Sequence, residues 1–327
     1  MPAPDGQRPW RPDLTLTALW ATRVAERPHA VALMDAAGAT VTFRALDEFS
    51  NRLARQLTLA GVSPGSVVAV AAEPGPAAVV AFWAVVKARA GFLGLDPDQP
   101  PEQLAAIMAD ARPVLILVDG RPLPTPAPRP VFDLNDEGLY GQTANPLPDA
   151  PVATDLAALV YVPAPPSAAG HAGAASEHAA PTTPLALTAA AYAHAVAAAA
   201  SPALVGPAGL VGVPLTHGAL ANAMAAAVPG NLLFHQDEPV ALATAPLAAD
   251  GYLFDRIFPL TRGARVVLAS LTDLAAPNAL AALVARERIT VHITTPDQLD
   301  ALTADPARGA GLADLRVLAW RGPVPSA

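Results

Sequence analysis

Apolar residues in this chain recur in short blocks that switch between helical and extended spacing. Leu46, Phe49, Leu53 and Leu57 return every three or four positions, with Arg52 and Arg55 on the other side, which predicts a helix. Asp47-Glu48 would sit in its first turn, where carboxylates suit the helix dipole, and Gly61 would stop it. Residues 66–71 form a β-branched run without polar alternation, hence a strand buried on both faces. The same reading gives helix 76–88, strand 92–95, helix 102–110 and strand 114–118. Residues 119–151 are rich in Pro, Asp and Gly and predict a loop, before an apolar strand at 156–162. Beyond residue 210 the alternation resumes with helix 220–227, strand 240–243 and helix 252–260, which Gly263 ends. Strand 265–269, helix 274–286, strand 290–293, helix 296–302 and strand 315–319 follow.

Repeated strand–helix–strand units with apolar strands imply an α/β fold of mostly parallel sheets flanked by helices. Three stretches are expected: a first α/β subdomain, residues 1–150; its last strand plus an Ala/Pro-rich insert or linker, residues 151–210; and a second α/β subdomain, residues 211–327. Residues 163–184 carry no apolar stripe and read as a low-complexity linker, and the stripe that starts at Leu185 is mostly alanine.

The chain of 327 residues is 53% hydrophobic and 15% charged, so it can bury a core and is no disordered polyelectrolyte. Much of the apolar share is alanine, which buries little area, so a thin core is expected. The net charge of −8 argues against nucleic-acid and acidic-membrane partners, which need clustered cations. The absence of cysteine excludes disulfides, thiolate metal sites and a thiol nucleophile. Residues 1–20 show no charged segment leading into an apolar run, so no signal peptide is expected. The apolar stretch 185–215 is interrupted by His194, Pro202 and Pro207, which argues against a membrane span and for a cytoplasmic protein.

Specific resemblance begins with Val41-Thr42-Phe43-Arg44-Ala45-Leu46-Asp47, which continues through Asn51-Arg52-Leu53-Ala54. A second block is Ala84-Val85-Val86-Lys87-Ala88-Arg89-Ala90-Gly91-Phe92-Leu93-Gly94-Leu95-Asp96-Pro97, and a third runs from Tyr252 through Phe254-Asp255-Arg256 to Gly263-Ala264. These blocks resemble, in order, motifs of the adenylate-forming (AMP-binding) superfamily, in particular the adenylation domains of nonribosomal peptide synthetases. The first resembles L-T-Y-x-E-L-x-x-x-x-N-R-L-A; the second resembles A-V-L-K-A-G-A-A-Y-V-P-L-D-P, with Arg89 in place of a glycine. The resemblance implies two stacked, mostly parallel sheets, as in the N-terminal region of an adenylate-forming enzyme. It also implies a family reaction in which an amino acid and ATP give an aminoacyl-adenylate and pyrophosphate, followed by transfer to a carrier thiol in secondary-metabolite biosynthesis.

One family element departs. Between Tyr161 and His217 the family carries T-S-G-T-T-G-x-P-K-G, a loop that wraps the ATP phosphates. Here the interval is Ala/Pro-rich, begins Pro163-Ala164-Pro165-Pro166-Ser167, and has no lysine. Proline has no N–H to donate, so phosphate charge would go unmatched, and Ser167 and Gly170 read as linker residues. ATP and Mg²⁺ are therefore implied by the family while their binding loop is degenerate.

By the same alignment Asp250 falls at the family's ammonium-pairing aspartate, and its F-D-x-S reads Ala249-Asp250-Gly251-Tyr252. A solvated Asp-Gly turn explains the same residues. Gly251, Phe254, Ile293, Ala319 and Arg321 would line an amino-acid pocket, with Arg321 placing a cation unfavourably near the substrate ammonium. His217, behind a helix-capping Thr216, reads as structural rather than as a general base, and Lys87 as a solvated surface charge. His171 and His178 have no third ligand at metal-like spacing.

No catalytic, cofactor or metal residue is therefore assigned. The expectation is a truncated, degenerate adenylation domain with little activity alone, acting as a scaffold for carrier or condensation domains, because the family's remaining parts would lie beyond Ala327. The alternative is half of a working amino-acid or acyl adenylating enzyme completed by a partner chain. An acyl-CoA synthetase relative fits less well, since only Pro246-Leu247 of its P-L-F-H motif is kept.

Overall fold

The computed structural model describes residues 11–124, 129–163, 210–226, 239–249, 251–294, 296–304, 312, 315 and 317–320. Twelve strands are found among them, in two six-stranded sheets. The first sheet contains β3 (Val67–Ala71), β4 (Gly91–Leu95), β5 (Leu115–Val118), β6 (Val131–Asp133), β7 (Leu156–Pro163) and β8 (Leu210–Thr216), in the order β6-β5-β3-β4-β7-β8. The second contains β1 (Val31–Met34), β2 (Thr40–Thr42), β9 (Val240–Ala243), β10 (Arg265–Leu268), β11 (Val291–Thr294) and β12 (Val317–Trp320), in the order β12-β11-β9-β10-β1-β2. Neighbours pair in parallel except β1–β2 and β7–β8, which are antiparallel and close one edge of each sheet. The α/β architecture of mostly parallel sheets is therefore as the apolar strand pattern implies.

Sheet membership does not follow the sequence boundaries at 150 and 210. β1 pairs with β10, so the second sheet draws on both ends of the chain, and β8 completes the first sheet beside β7. The short strands β1 and β2 and helix α1 (Leu16–Glu26) lie where sequence periodicity gave no assignment.

Helix α2 (Phe43–Leu59) starts earlier than its apolar spacing suggests, because Thr42 caps it by accepting from Ala45 N at 3.2 Å. Asp47-Glu48 consequently lies past the first turn. Helix α3 (Pro76–Lys87) is buried on every side from Ala78 onward, which explains why its sequence shows almost no polar face. Helix α4 (Pro101–Ala111) leads into β5. The loop expected at 119–151 contains β6 and a 3₁₀ turn, Glu137–Tyr140, as well as irregular chain. The single helix expected over 274–286 is two: α7 (Leu271–Ala275) and α8 (Pro277–Glu287), numbered after α5 (His217–Ala226) and α6 (Phe258–Thr261). Pro277 explains the break, since it donates no hydrogen bond and holds Ala276 extended at φ −127°, ψ 100°. Ser270 and Asp273 form a capping box on α7. Helix α9 (Pro296–Thr303) links β11 to β12.

The core is not thin where the sheets meet. Trp20 stacks on Trp83 with centroids 4.5 Å apart and on Phe43 at 5.5 Å. Phe82 meets Trp83 and Phe92 edge-on, and Phe92 stacks on Tyr252 at 5.8 Å. A few large rings thus join the first sheet, its helices and the second sheet, supplying area that alanine cannot.

Arg89 takes φ +62° behind α3, the left-handed conformation that a glycine adopts without strain. Its guanidinium compensates by gripping Asp155 at 2.7 Å and 3.3 Å, which holds the Asp155 carboxyl below its usual range against the opposing effect of burial. Arg89→Ala should therefore lose the pair and keep the strain, whereas Arg89→Gly should lose the pair and relieve about 1 kcal/mol of strain. Urea unfolding should rank Arg89→Ala below Arg89→Gly; the reverse order would refute the compensation.

Candidate functional site

Strands β9 to β12 run parallel, so their carboxyl ends share one edge of the second sheet, the usual ligand-binding edge of such sheets. The chain leaves β9 at Thr244, turns, and enters a helical segment at Gly251. Within it Leu253–Ile257 is a π-turn, a widened turn often found at functional positions. Asp255 accounts for part of this geometry. One carboxylate oxygen accepts Thr244 N at 2.7 Å and Ala245 N at 2.6 Å, and the other accepts Arg256 Nη1 at 2.7 Å. Both side chains are buried, at 2% and 1% exposure, so the pair is charge-assisted and shielded from water.

The Arg256 guanidinium lies over the Tyr252 ring, 4.8 Å from its centroid, and Tyr252 in turn stacks on Phe92 of β4. This chain of contacts fixes the widened turn against the first sheet. Burial pushes the Tyr252 phenol above its ordinary range, so it remains neutral. Across the sheet edge, the Thr244 and Thr294 hydroxyls donate to Gln298 Oε1 at 3.2 Å and 3.1 Å, binding the ends of β9 and β11 to α9.

The residues expected to line an amino-acid pocket fall on this edge wherever they are described. Gly251 is buried at the start of the helical segment, Phe254 is partly exposed within the π-turn, and Ile293 is partly exposed near the end of β11. Ile293 is the register partner of Ala319 on β12, and the π-turn packs against β9 and β11. Asp250 and Arg321 lie outside the described residues. The buried Asp255–Arg256 pair was not singled out by sequence reasoning; two charges inside an otherwise apolar helical run were the available signal.

Lys87 is not a surface charge. It is 9% exposed, and its ammonium donates to Asp47 Oδ1 at 2.6 Å, Ser50 Oγ at 2.7 Å and Asn51 Oδ1 at 2.8 Å. Trp20 Nε1 donates to the same Asp47 oxygen at 2.7 Å, and Asn51 Nδ2 donates to Ala144 O at 2.9 Å. The cluster ties α3 to α2, α1 and the segment beyond β6. Burial, opposed by the Asp47 charge and hydrogen bond, pulls the ammonium from 10.5 down to about 8. The unfolded chain holds that proton to higher pH, so this group should make folding more favourable as pH rises from about 8 towards 10.5. Lys87→Met should flatten that rise in urea unfolding compared at about pH 7.5 and about pH 9.5, which sample the window just given; equal slopes in both proteins would refute it.

His217 opens α5 behind the capping Thr216, whose hydroxyl accepts Ala219 N at 3.1 Å. Its imidazole is fully buried and is held down to about 4 by burial, against the opposing effects of the Asp155 charge and the Val86 backbone. It is neutral at physiological pH and closed to a substrate. His292, in the middle of β11, is likewise buried and held down to about 4.

β7 and β8 are paired along their length, with Pro163 opposite Leu210. The two flanks of the expected phosphate loop are therefore adjacent, and residues 164–209 leave and return at one end of this strand pair. That segment, with Ser167, Gly170, His171 and His178, lies outside the described residues. It contains neither lysine nor arginine. Among the described residues no group of three His, Cys, Asp or Glu could hold a metal ion, and the Thr244 and Thr294 hydroxyls are already engaged with Gln298.

The fold and this edge define an α/β protein built on two mostly parallel sheets flanked by helices. Comparison with known proteins narrows the class. The model of the AMP-binding enzyme family matches residues 20–201 and 212–327. The chain belongs to that family.

Tyrocidine synthase 2 of Brevibacillus parabrevis is 32% identical over 158 residues, 48% of this chain and 4% of that protein. The isonitrile lipopeptide synthase of Mycobacterium tuberculosis is 36% identical over 150 residues, 45% of this chain and 6% of that protein. The chain thus matches only small parts of these multidomain relatives. Among solved structures, the nonribosomal peptide synthetase FmoA3 superposes with a TM-score of 0.75 at 21% identity, over 98% of this chain and 30% of that one. The N-terminal subdomain of Klebsiella oxytoca NpsA, in complex with 3-hydroxybenzoyl-AMSN, does so with a TM-score of 0.73 at 16% identity, over 96% of this chain and 67% of that one. The two-sheet fold is that of the N-terminal subdomain of peptide-synthetase adenylation domains, as the motif resemblance implies.

Proposed function

We propose that this chain is an adenylation-domain region that keeps the substrate-side scaffold and has lost ATP turnover. It serves as a structural or docking unit beside the carrier and condensation domains of a peptide synthetase. One observation carries the reading: where β7 and β8 pair, the segment joining them supplies no cation and begins with prolines. Phosphoryl-type transfer from ATP depends on neutralising developing charge with backbone donors, a cation and Mg²⁺. Without them the bound amino acid would meet no activated phosphate. Asp250, Gly251, Phe254 and Ile293 remain the proposed substrate-side residues, with Asp250 proposed as the partner of an ammonium group.

The test is amino-acid-dependent exchange of pyrophosphate into ATP with Mg²⁺ and a mixture of amino acids. No exchange above a blank is expected from this chain, and sustained exchange by the chain alone would overturn the reading. A second reading, that a partner chain completes a working enzyme, is favoured by the intact Asp255–Arg256 lock and Thr244–Gln298–Thr294 bridge at the sheet edge. It predicts exchange that appears only when carrier-containing synthetase chains are added.

A further inference from the structure

A cavity of about 330 Å³ opens where α2 ends, against the turn at residues 62–64, the junction behind α3 and the segment 142–149. It shares no lining residue with the carboxyl edge of the second sheet. Every lining residue and its chain neighbours belong to the described stretches 11–124 and 129–163. The walls are mostly apolar, formed by Leu59, Val62, Pro64, Ala88, Leu147 and Pro148. Leu59 is 70% exposed, the highest value for a large hydrophobic residue among those described. A lone exposed leucine is ordinary, but this one stands at a concave apolar surface that it could help to cover.

Arg55 is the one lining cation without a carboxylate partner among the described residues. Its Nη2 donates to Asn145 O at 3.0 Å and Pro146 O at 2.7 Å, both uncharged, and its Nε has no acceptor among those residues. The two carbonyl bonds fix the guanidinium beside the cavity and tie segment 142–149 to α2. The other two lining cations are matched: Lys87 pairs with Asp47 at 2.6 Å and Arg89 with Asp155 at 2.7 Å. Asp149, the one acid in the lining, bears on Arg89. The Asp155 hydrogen bond chiefly, then the Asp155 and Asp149 charges, raise the Arg89 pKa against the effect of burial. Thr58 Oγ1 is spent on Ala54 O at 3.0 Å.

We propose that this cavity binds a small aliphatic carboxylate, with its charged end on Arg55 and its chain against Leu59, Val62 and Leu147. A guanidinium fork matches a carboxylate, and a chain laid on the apolar wall gains from leaving water. The volume lies at the lower end of small-molecule sites, which suits a chain of a few carbons. A doubly charged phosphate would find one unmatched guanidinium and the Asp149 charge, so a single negative charge fits better. No aromatic side chain is among the lining residues, which leaves a ring without a stacking partner and favours an aliphatic body. The ligand would clamp segment 142–149 onto α2, beside the Lys87–Asp47–Asn51 cluster.

Titration calorimetry of the whole chain with hexanoate, hexanol and hexylamine tests this. Hexanoate is expected to bind and to raise the thermal midpoint, hexanol to bind about tenfold more weakly, and hexylamine more weakly still. Arg55→Gln should bring hexanoate down to the level of hexanol and leave hexanol unchanged, which separates a ligand contact from a structural loss. Leu59→Ser should weaken hexanoate and hexanol alike while melting near the wild type, because the side chain it removes is exposed. Leu271→Ser, at another exposed leucine on α7, should leave every titration unchanged. The proposal is overturned if hexanoate does not bind, if hexanoate and hexanol bind equally to the wild type, or if Arg55→Gln keeps full hexanoate affinity. Tighter binding of hexylamine, or of inorganic phosphate, would overturn it as well.

Discussion

Asp255→Ala is expected to cost the protein most of its stability. The substitution leaves Arg256 charged and buried at 1% exposure and strips acceptors from the backbone N–H groups of Thr244 and Ala245. Breaking a buried ion pair by removing one partner costs about 3–5 kcal/mol. Each unsatisfied buried N–H adds about 1–3 kcal/mol. The sum approaches the whole stability of an ordinary domain, roughly 5–15 kcal/mol. Thermal denaturation followed by near-UV and far-UV circular dichroism should show a variant that is unfolded, or melts more than about 10 °C lower. Arg256→Met is the informative contrast. It removes the guanidinium but leaves Asp255 its two backbone donors, so it should melt between the wild type and Asp255→Ala. A melt of Asp255→Ala within a degree of the wild type would show that the pair does not hold the turn.

That pair also marks where sequence reading stopped. Parallel strands announced themselves because burial on both faces demands unbroken apolar runs, and β3, β5 and β9 are buried in nearly every position. Helix α2 was legible from its stripe, and Gly61 and Gly263 from the positive φ they supply, +93° and +80°. What was not legible depends on partners remote in sequence. β1 and β2 are four and three residues long; β1 gains its identity from β10, more than two hundred positions later, and β2 pairs with β1 alone. Lys87 looked like a surface charge because its acceptors, Asp47, Ser50 and Asn51, lie on a different helix and its own helix is uniformly apolar. The Ala276–Pro277 break was readable in principle, since proline at that place cannot continue α7.

The candidate site was legible unevenly for the same reason. Gly251, Phe254, Ile293 and Ala319 could be placed because motif order carries over to strand order, and Ile293 and Ala319 prove to be register partners. The mechanism of the edge, in contrast, lies in groups that hold the turn rather than line the pocket. Asp255 acts on the backbone of residues ten and eleven positions earlier, a relation that no local periodicity encodes.

Gly94→Ala carries the second large effect, and it probes the same turn from the first sheet. A Cβ at Gly94 would stand 2.2 Å from the Leu247 carbonyl oxygen and 2.9 Å from its carbon. Backbone cannot swing aside as a side chain can, so the turn joining β9 to Gly251 would have to withdraw from β4. The family motif has proline at this position, so the Leu247 carbonyl occupies space that such a residue would fill. Withdrawal would also part Phe92 from Tyr252 and loosen the stack that steadies Arg256. Overpacking of this kind costs about 1–3 kcal/mol, and a backbone neighbour puts Gly94 at the upper end. Gly91→Ala supplies the control, because its new Cβ would meet only the Leu156 side chain, at 2.3 Å from Cδ2, and that side chain has rotamers to use. Urea unfolding should therefore rank Gly94→Ala well below Gly91→Ala. The amino-acid binding proposed for this edge, read by thermal shift, should weaken in Gly94→Ala and survive in Gly91→Ala. Equal losses in the two variants would mean that the close approach at Leu247 does not set the turn, and the pocket would then owe its shape to β11 and β12 alone.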